Sequence, residues 1–323
     1  MSIQVNSYIF SALKNKIKSM LKIHQLNKSY GKRQVLQNLS LYINSGEIYG
    51  LLGANGAGKT TTINIICNLL TADSGEIRLN NQPISSATKK LIGIATQENL
   101  LYKTLSCEEN LRFFADIYGL DKKTREKQVT ETLAAVNLLD RAKSPVETLS
   151  GGMQRRLNIA VALVHQPQLV ILDEPTTGLD IEARYEIWEL IRQLKNQGIT
   201  VLMTTHLLDE AERLCHRIGI LKNGQILADG SLAELRTLIP AQEIVVIQTR
   251  EEAQAIARAQ EYGYTHRYYG NDLAFWLPKP MELKEIIALF AGITLDSIAR
   301  QPVRLEHIYL QITQQALDQA KEP

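Results

Sequence analysis

Eight residues, Gly53-Ala54-Asn55-Gly56-Ala57-Gly58-Lys59-Thr60, constrain the fold of this chain more than any other stretch. They follow a short apolar run, 47–53, and lead into 59–70, which continues as a helix. A strand, a glycine turn and a helix in that order point to an α/β sheet. The segment 169–172 agrees, because a strand apolar at every position belongs in a parallel sheet with both faces covered. Ile187, Leu190, Ile191 and Leu194 repeat at helical spacing until Gly198 ends the helix, and 199–204 then reads as another buried strand. Near the start, 21–27 and 35–43 alternate as strands on either side of the turn Tyr30-Gly31-Lys32.

The glycine loop carries its own chemistry. Without a Cβ, backbone N–H groups can approach a chain of anionic oxygens closely. The helix starting near Gly58 adds the partial positive charge of its N-terminus. The loop therefore fits the phosphates of a nucleotide, with Gly53, Asn55, Gly56, Gly58, Lys59, Thr60 and Thr61 as the contacting candidates. Lys59 is expected to reach the β- and γ-phosphates, and the Thr60 hydroxyl to ligate Mg²⁺. Asp173 follows four apolar residues, at the strand end where ligands sit in such sheets, and is expected to hold the metal through water. Its neighbour Glu174 is the candidate general base for the attacking water, and His206, just past the strand 199–205, fits a polar sensor of the γ-phosphate. Phosphoryl transfer needs mainly positioning and charge stabilisation, which such a set supplies.

At 323 residues there is room for one generous domain and a smaller one. Between Gln97 and Leu149 the strand signal vanishes, while 108–118 and 122–139 look helical: a helical subdomain, about 98–148, inserted in the α/β core. After about Pro240 the order changes to strand 243–248, helix 251–261, hairpin 265–269 with 273–277, helix 280–291, strand 293–298 and helix 305–319. That β-α-β-β-α-β order predicts a small ferredoxin-like appendage. The expected domains are thus an extension over 1–20, a nucleotide-binding domain over 21–238 and an accessory domain over 239–323. In the extension Ile9, Phe10, Leu13, Ile17 and Met20 share one arc of a helical wheel, with the early lysines outside it; a surface helix and a frayed extension are both open readings. A net charge of +2 argues against a nucleic-acid binder that works by bulk electrostatics. Cys67, Cys107 and Cys215 are scattered without metal or redox spacing, as expected of buried free thiols in a reducing compartment. No uncharged apolar run approaches the ~20 residues that span a bilayer.

One further motif, Leu149-Ser150-Gly151-Gly152-Met153-Gln154, stands between the glycine loop and the acidic strand. Its N–H groups, exposed ahead of a helix near Met153, form a second anion site like the first. The ordered set resembles the nucleotide-binding domain of ATP-binding-cassette (ABC) proteins, over roughly 21–231. The resemblance implies an α/β P-loop ATPase core with an antiparallel β subdomain and the helical insert, beside the small α+β appendage. It implies that Ser150, Gly151 and Gly152 contact ATP held by the opposite subunit, and that Thr177-Gly178-Leu179-Asp180 crosses the same interface. It also places Tyr30 on the adenine, Gln97 on the metal with a report to the membrane partner, and His206 on the γ-phosphate. The segment 206–212 and the later 305–310 resemble a bacterial branch whose ATPases serve exporters of drugs, lipids or polysaccharides. The expected function is therefore an ATP-hydrolysing subunit on the cytoplasmic face of the membrane. It would act as a homodimer, or as a heterodimer with a second such ATPase, and drive a separate permease without nucleic acid. Tyr102, Phe113, Phe114 and Tyr118 would either line a groove for a cytoplasmic permease helix or pack the insert's core. A soluble ATPase acting on ribosomes or DNA and an importer subunit remain alternatives.

Overall fold

A computed structural model describes residues 19–319 and divides at Asp229 and Gly230 into two units. Ile9, Phe10, Leu13 and Ile17 of the expected N-terminal arc lie outside the described residues. Met20, the fifth member of that arc, is instead buried in a strand, because pairing extends back to Ser19 opposite Asn44.

The first unit begins with β1 (Ser19–Tyr30) and β2 (Arg33–Asn44), then β3 (Ile48–Leu52), the glycine loop and α1 (Lys59–Ile66). Helix α1 stops short of Leu70 because Asn68 turns left-handed, with φ 53°. Strands β4 (Ser74–Leu79) and β5 (Gln82–Pro83), the short α2 (Ser86–Lys89) and β6 (Ile92–Ala95) follow. The stretch expected to be helical holds α3 (Cys107–Ile117) and α4 (Lys122–Ala135). Ser106 and Glu109 cap α3 reciprocally, and Asp121 caps α4, so both starts are written locally. Then come α5 (Gly151–Leu163), β7 (Leu169–Asp173), α6 (Ile181–Asn196), β8 (Thr200–Thr205), α7 (Leu208–Leu214), β9 (Arg217–Lys222) and β10 (Gln225–Gly230).

Two sheets result. One is antiparallel, in the order β2-β1-β4-β5, and the other runs β10-β9-β3-β8-β7-β6. In the second, β6, β7, β8, β3 and β9 pair in parallel, so their C-terminal ends share one edge. Side chains alternate across its two faces. Val170, Leu172, Val201 and Met203 meet α5, α6 and the insert, while Leu169, Ile171 and Leu202 meet α1 and the antiparallel sheet. Each fully buried Leu or Ile contributes about 1.5–3 kcal/mol. With that burial on both faces, the edge carrying the strand ends is held by two cores.

The second unit contains α8 (Leu232–Arg236), β11 (Glu243–Thr249), α9 (Glu252–Glu261), β12 (Thr265–Tyr269), β13 (Asp272–Leu277), α10 (Leu283–Leu289), β14 (Leu295–Pro302) and α11 (Leu305–Gln319). Its antiparallel sheet runs β12-β13-β11-β14, the order that the β-α-β-β-α-β pattern produces in a ferredoxin-like fold. Val245, Ile247, Leu273, Phe275 and Leu277 of the sheet pack with Ala255, Ala259, Ile286 and Leu289 of the helices, giving this unit its own core.

Candidate functional site

Four strand ends bring the sequence-selected residues to one edge. Strand β3 delivers the glycine loop, β7 delivers Asp173 and Glu174, β8 delivers Thr204, Thr205 and then His206, and β6 delivers Thr96 and Gln97. The loop is anchored by the Gly53 N–H, which donates to the Thr205 carbonyl at 3.2 Å. Gly58, the residue before α1, sits at φ 114°, and a Cβ there would lie 2.7 Å from Leu36 Cδ2. Any larger residue there would be strained at that positive φ and would push the buried Leu36 side chain aside.

Lys59 is 5 % exposed, and its ammonium donates to the Gly53 carbonyl at 2.7 Å. It also pairs with Glu174 Oε1 at 3.1 Å. The other Glu174 oxygen lies 3.2 Å from His206 Nδ1 and accepts from the Thr177 hydroxyl at 3.1 Å. Burial opposes ionisation of Glu174. The hydrogen bond and charge of Lys59, followed by those of His206, outweigh it and hold the carboxyl below its ordinary value. Glu174 itself sits in the left-handed region at φ 48°, where a side chain other than glycine is uncommon. Its N–H donates to Thr204, at 3.2 Å to the carbonyl and 3.1 Å to the hydroxyl. The Thr204 hydroxyl in turn donates to Asp173 Oδ1 at 2.5 Å. Burial raises the Asp173 carboxyl above its usual range, the Thr204 bond and Lys59 opposing only in part. A cation beside it would favour its charged form.

Thr60 and Asn55 are exposed and Thr61 half-buried at the mouth of the loop. Gln97 is exposed too, and among the described residues only its carbonyl is held, by Arg155 Nη1 at 3.2 Å. Tyr30 is 50 % exposed at the end of β1, with the Lys28 ammonium 5.9 Å from its ring centre. Ser150 caps α5, accepting from the Met153 N–H at 3.3 Å, and Gly151 is exposed beside it. Among the described residues no hydrogen bond joins Ser150, Gly151 or Gly152 to the glycine loop. Asp180 caps α6 through the Ala183 N–H at 2.8 Å. The structure therefore brings Lys59, Glu174, Asp173 and His206 into one connected cluster, and leaves Tyr30, Gln97 and Ser150 outside that hydrogen-bonded set.

Residues not singled out in the sequence complete the cluster. Thr204 links the two acids. Arg155, 4 % exposed on α5, donates to the Asp173, Glu174, Pro175, Thr96 and Gln97 carbonyls at 2.5–3.2 Å. Asn158, one turn on, donates to the Thr96 carbonyl at 3.0 Å. Helix α5 lies so close to β6 that a Cβ on Gly93 would be 1.9 Å from the Ala162 carbonyl oxygen. Beyond the cluster, Tyr102, Phe113 and Phe114 form an aromatic group on the insert, with Tyr102 and Phe113 centroids 4.8 Å apart and edge-to-face. Tyr102 and Phe113 remain 48 % and 38 % exposed, so they do not merely fill its core. Tyr118 lies apart from them, stacked on His165 at 3.5 Å.

Comparison with known proteins places this geometry in context. The ABC transporter family profile matches residues 36–177. Over 309 residues the chain is 38 % identical to the linearmycin resistance ATP-binding protein LnrL of Bacillus subtilis, covering 92 % of this chain and 99 % of that one. It is 35 % identical over 295 residues to the Nod factor export ATP-binding protein I of Burkholderia pseudomallei, covering 90 % and 95 %. Among solved structures it is similar to the ATP-binding cassette MJ0796, a dimer in a post-hydrolysis state bound to ADP and Pi. That match has a TM-score of 0.59 at 29 % identity, covering 66 % of this chain and 99 % of the other.

Proposed function

The chain belongs to the ABC transporter family as an ATP-binding, ATP-hydrolysing subunit. From that premise we propose that two such subunits close on two ATP molecules and so drive a separate membrane permease in export. The observation that carries the reading is the chain of contacts from Lys59 through Glu174 to His206, beside the Thr204-linked Asp173. A γ-phosphate drawn to Lys59 replaces Glu174 as its partner and frees an ionised carboxylate beside His206. That carboxylate takes a proton from the attacking water, and His206 holds the phosphate and the base in line. Gly53, Asn55, Gly56, Gly58 and Thr61 cradle the phosphates, and Tyr30, exposed at the hairpin, stacks on the purine.

Mg²⁺ fits the donors present. The Thr60 hydroxyl and, through water, the hard carboxylate of Asp173 are the oxygen donors that would hold it. Bound there, such an ion would offset phosphate charge during transfer. Gln97, exposed after β6, extends the same edge toward the metal and the permease.

Ser150, Gly151 and Gly152 supply the other half of the site in trans: Ser150 and Gly151 are exposed, and among the described residues none of the three bonds its own glycine loop. Asp180 and its preceding loop flank that interface. Moving a dimer from almost always open to almost always closed takes about 5.5 kcal/mol. Charge-assisted hydrogen bonds of about 1.5–3 kcal/mol each, several per nucleotide, reach that sum. The exposed Tyr102 and Phe113 offer the permease an aromatic seat. No helix among the described residues is long and apolar enough to cross a membrane; in the proposed assembly the permease supplies the pore and this chain sits at its cytoplasmic face. Export rests on the names of the two relatives above, with which the chain aligns over nearly its full length.

Glu174→Gln tests the base. The variant is expected to bind ATP, to release phosphate at least ~100-fold more slowly, and to accumulate as a dimer in ATP on a sizing column. Hydrolysis at full rate would remove Glu174 from that role.

A further inference from the structure

We propose that Arg155 is a positioning residue: its guanidinium locks the Ser-Gly-Gly helix, the Gln97 loop and the acidic strand end into one unit, so that closure of the second half-site sets the Glu174 carboxylate. The proposal rests on the trans-site reading above and deepens it.

Arg155 is one turn into α5, the helix that Ser150 caps. Its Nε donates to the Pro175 carbonyl at 2.7 Å, and Nη2 to those of Asp173 and Glu174 at 2.8 and 2.9 Å. Nη1 donates to Thr96 at 2.5 Å and Gln97 at 3.2 Å, with Asn99 Oδ1 at 3.5 Å. A guanidinium is a rigid plane of five N–H donors. Here its donors reach two separate chain segments from a third, and among the described residues it has no carboxylate partner within ion-pair distance.

Burying a charge without a direct counter-ion is costly unless hydrogen bonds replace its water shell. Burial lowers the Arg155 pKa to about 10, with the nearby Asp173, Glu210 and Glu174 opposing, so the group stays charged at neutral pH. Packing alone does not require an ion in this position; a Leu or Met would fill the volume. The fork instead fixes the backbone of the residues whose side chains form the cluster. Asn158 repeats the contact to Thr96 from the same helix face, so the junction has two tethers. Neither Arg155 nor Asn158 has a described bond to a residue of the glycine loop, so nucleotide affinity should not depend on them.

Arg155→Lys keeps the charge and loses the fork. In the full chain it is expected to lower kcat about 100-fold. The dissociation constant for ATP, measured on the dilute subunit, should stay within about twofold of the parent, and so should ATP-induced dimer formation in the Glu174→Gln background. Asn158→Leu should show the same split at smaller amplitude and serves as the test if Arg155→Lys does not fold. Three results overturn the proposal: near-parental kcat in Arg155→Lys, a fall in kcat and ATP affinity together, or, where that variant is unfolded, an unchanged kcat in Asn158→Leu. If Glu174→Gln hydrolyses normally while Arg155→Lys shows the split, the base assignment fails and the junction stands.

Discussion

Thr204 stands between the two acids, donating to Asp173 and accepting from the Glu174 N–H. Thr204→Val keeps the shape and removes both bonds. The Glu174 N–H keeps the Thr204 carbonyl, so the cost, about 1–3 kcal/mol, comes from leaving the buried Asp173 carboxyl without this partner and is read as a lower unfolding midpoint. The same loss raises the Asp173 carboxyl further, because the Thr204 bond favours its charged form. A more readily protonated Asp173 is a weaker oxygen donor, so more Mg²⁺ should be needed for half-maximal hydrolysis. An unchanged magnesium requirement would remove Asp173 from the metal site. Glu174 responds to pH in the other sense. Its depressed pKa keeps the base ionised well into the acid range, and its contribution to stability, present at neutral pH, is lost as pH falls through that lowered value.

At the scale of elements, His165 joins α5 to the insert by stacking on Tyr118 after the last turn of α3. Its Nε2–H donates to the Ile92 carbonyl at 3.1 Å, while Nδ1 is buried without a partner. Burial lowers its pKa to about 4, because a second ring proton would have no acceptor. The unfolded chain, with a histidine near pKa 6.5, then binds the extra proton first, so stability falls as pH drops from about 6.5 to about 4. The shift is worth about 3 kcal/mol. Denaturant unfolding at pH 7 and pH 5 should show the loss in the parent and a smaller one in His165→Gln; equal losses would assign the acid sensitivity elsewhere.

Elements also show what the sequence could tell. Strands β3, β7 and β8 were legible because every position is buried, and the glycine loop because its residues must meet an anion. Strands β4, β9 and β10 leave little trace in the sequence: the alternation of β4 covers only Ile77 and Leu79, and β10 is mostly half-exposed, so neither gives a period of two long enough to read. Helix 280–291 was expected too long, since the observed α10 spans only Leu283–Leu289 and begins at the Glu282–Glu285 capping box. Arg155 was invisible for a different reason. Its partners are backbone carbonyls, which carry no residue code, and an arginine directly followed by a second, Arg156, reads as part of a solvated helix face.

For the whole molecule, the proposed role of the Ser150 turn would make function a property of two chains. Mixed dimers test this directly. With Lys59→Ala and Ser150→Arg in the same subunit, paired with a parental one, both composite sites are spoiled. With the changes in opposite subunits, both faults fall on one site and the other stays intact. Phosphate release should therefore be higher in the second arrangement, and equal rates in both would refute sharing. The unit from Gly230 carries a core of its own, and expressed alone as 230–323 it is expected to unfold cooperatively in urea. A gradual loss of signal would show that its packing depends on the rest of the chain.

Gly93 holds α5 and β6 backbone against backbone, with no clearance for even one methyl group. Two parts meshed so tightly cannot slip past each other; on the trans-site reading, a tilt of that helix would drag along the strand that leads to Gln97. Bulk added at this point, outside the groups proposed to touch nucleotide, would throw the gears out of engagement while leaving the motor's grip on its fuel intact.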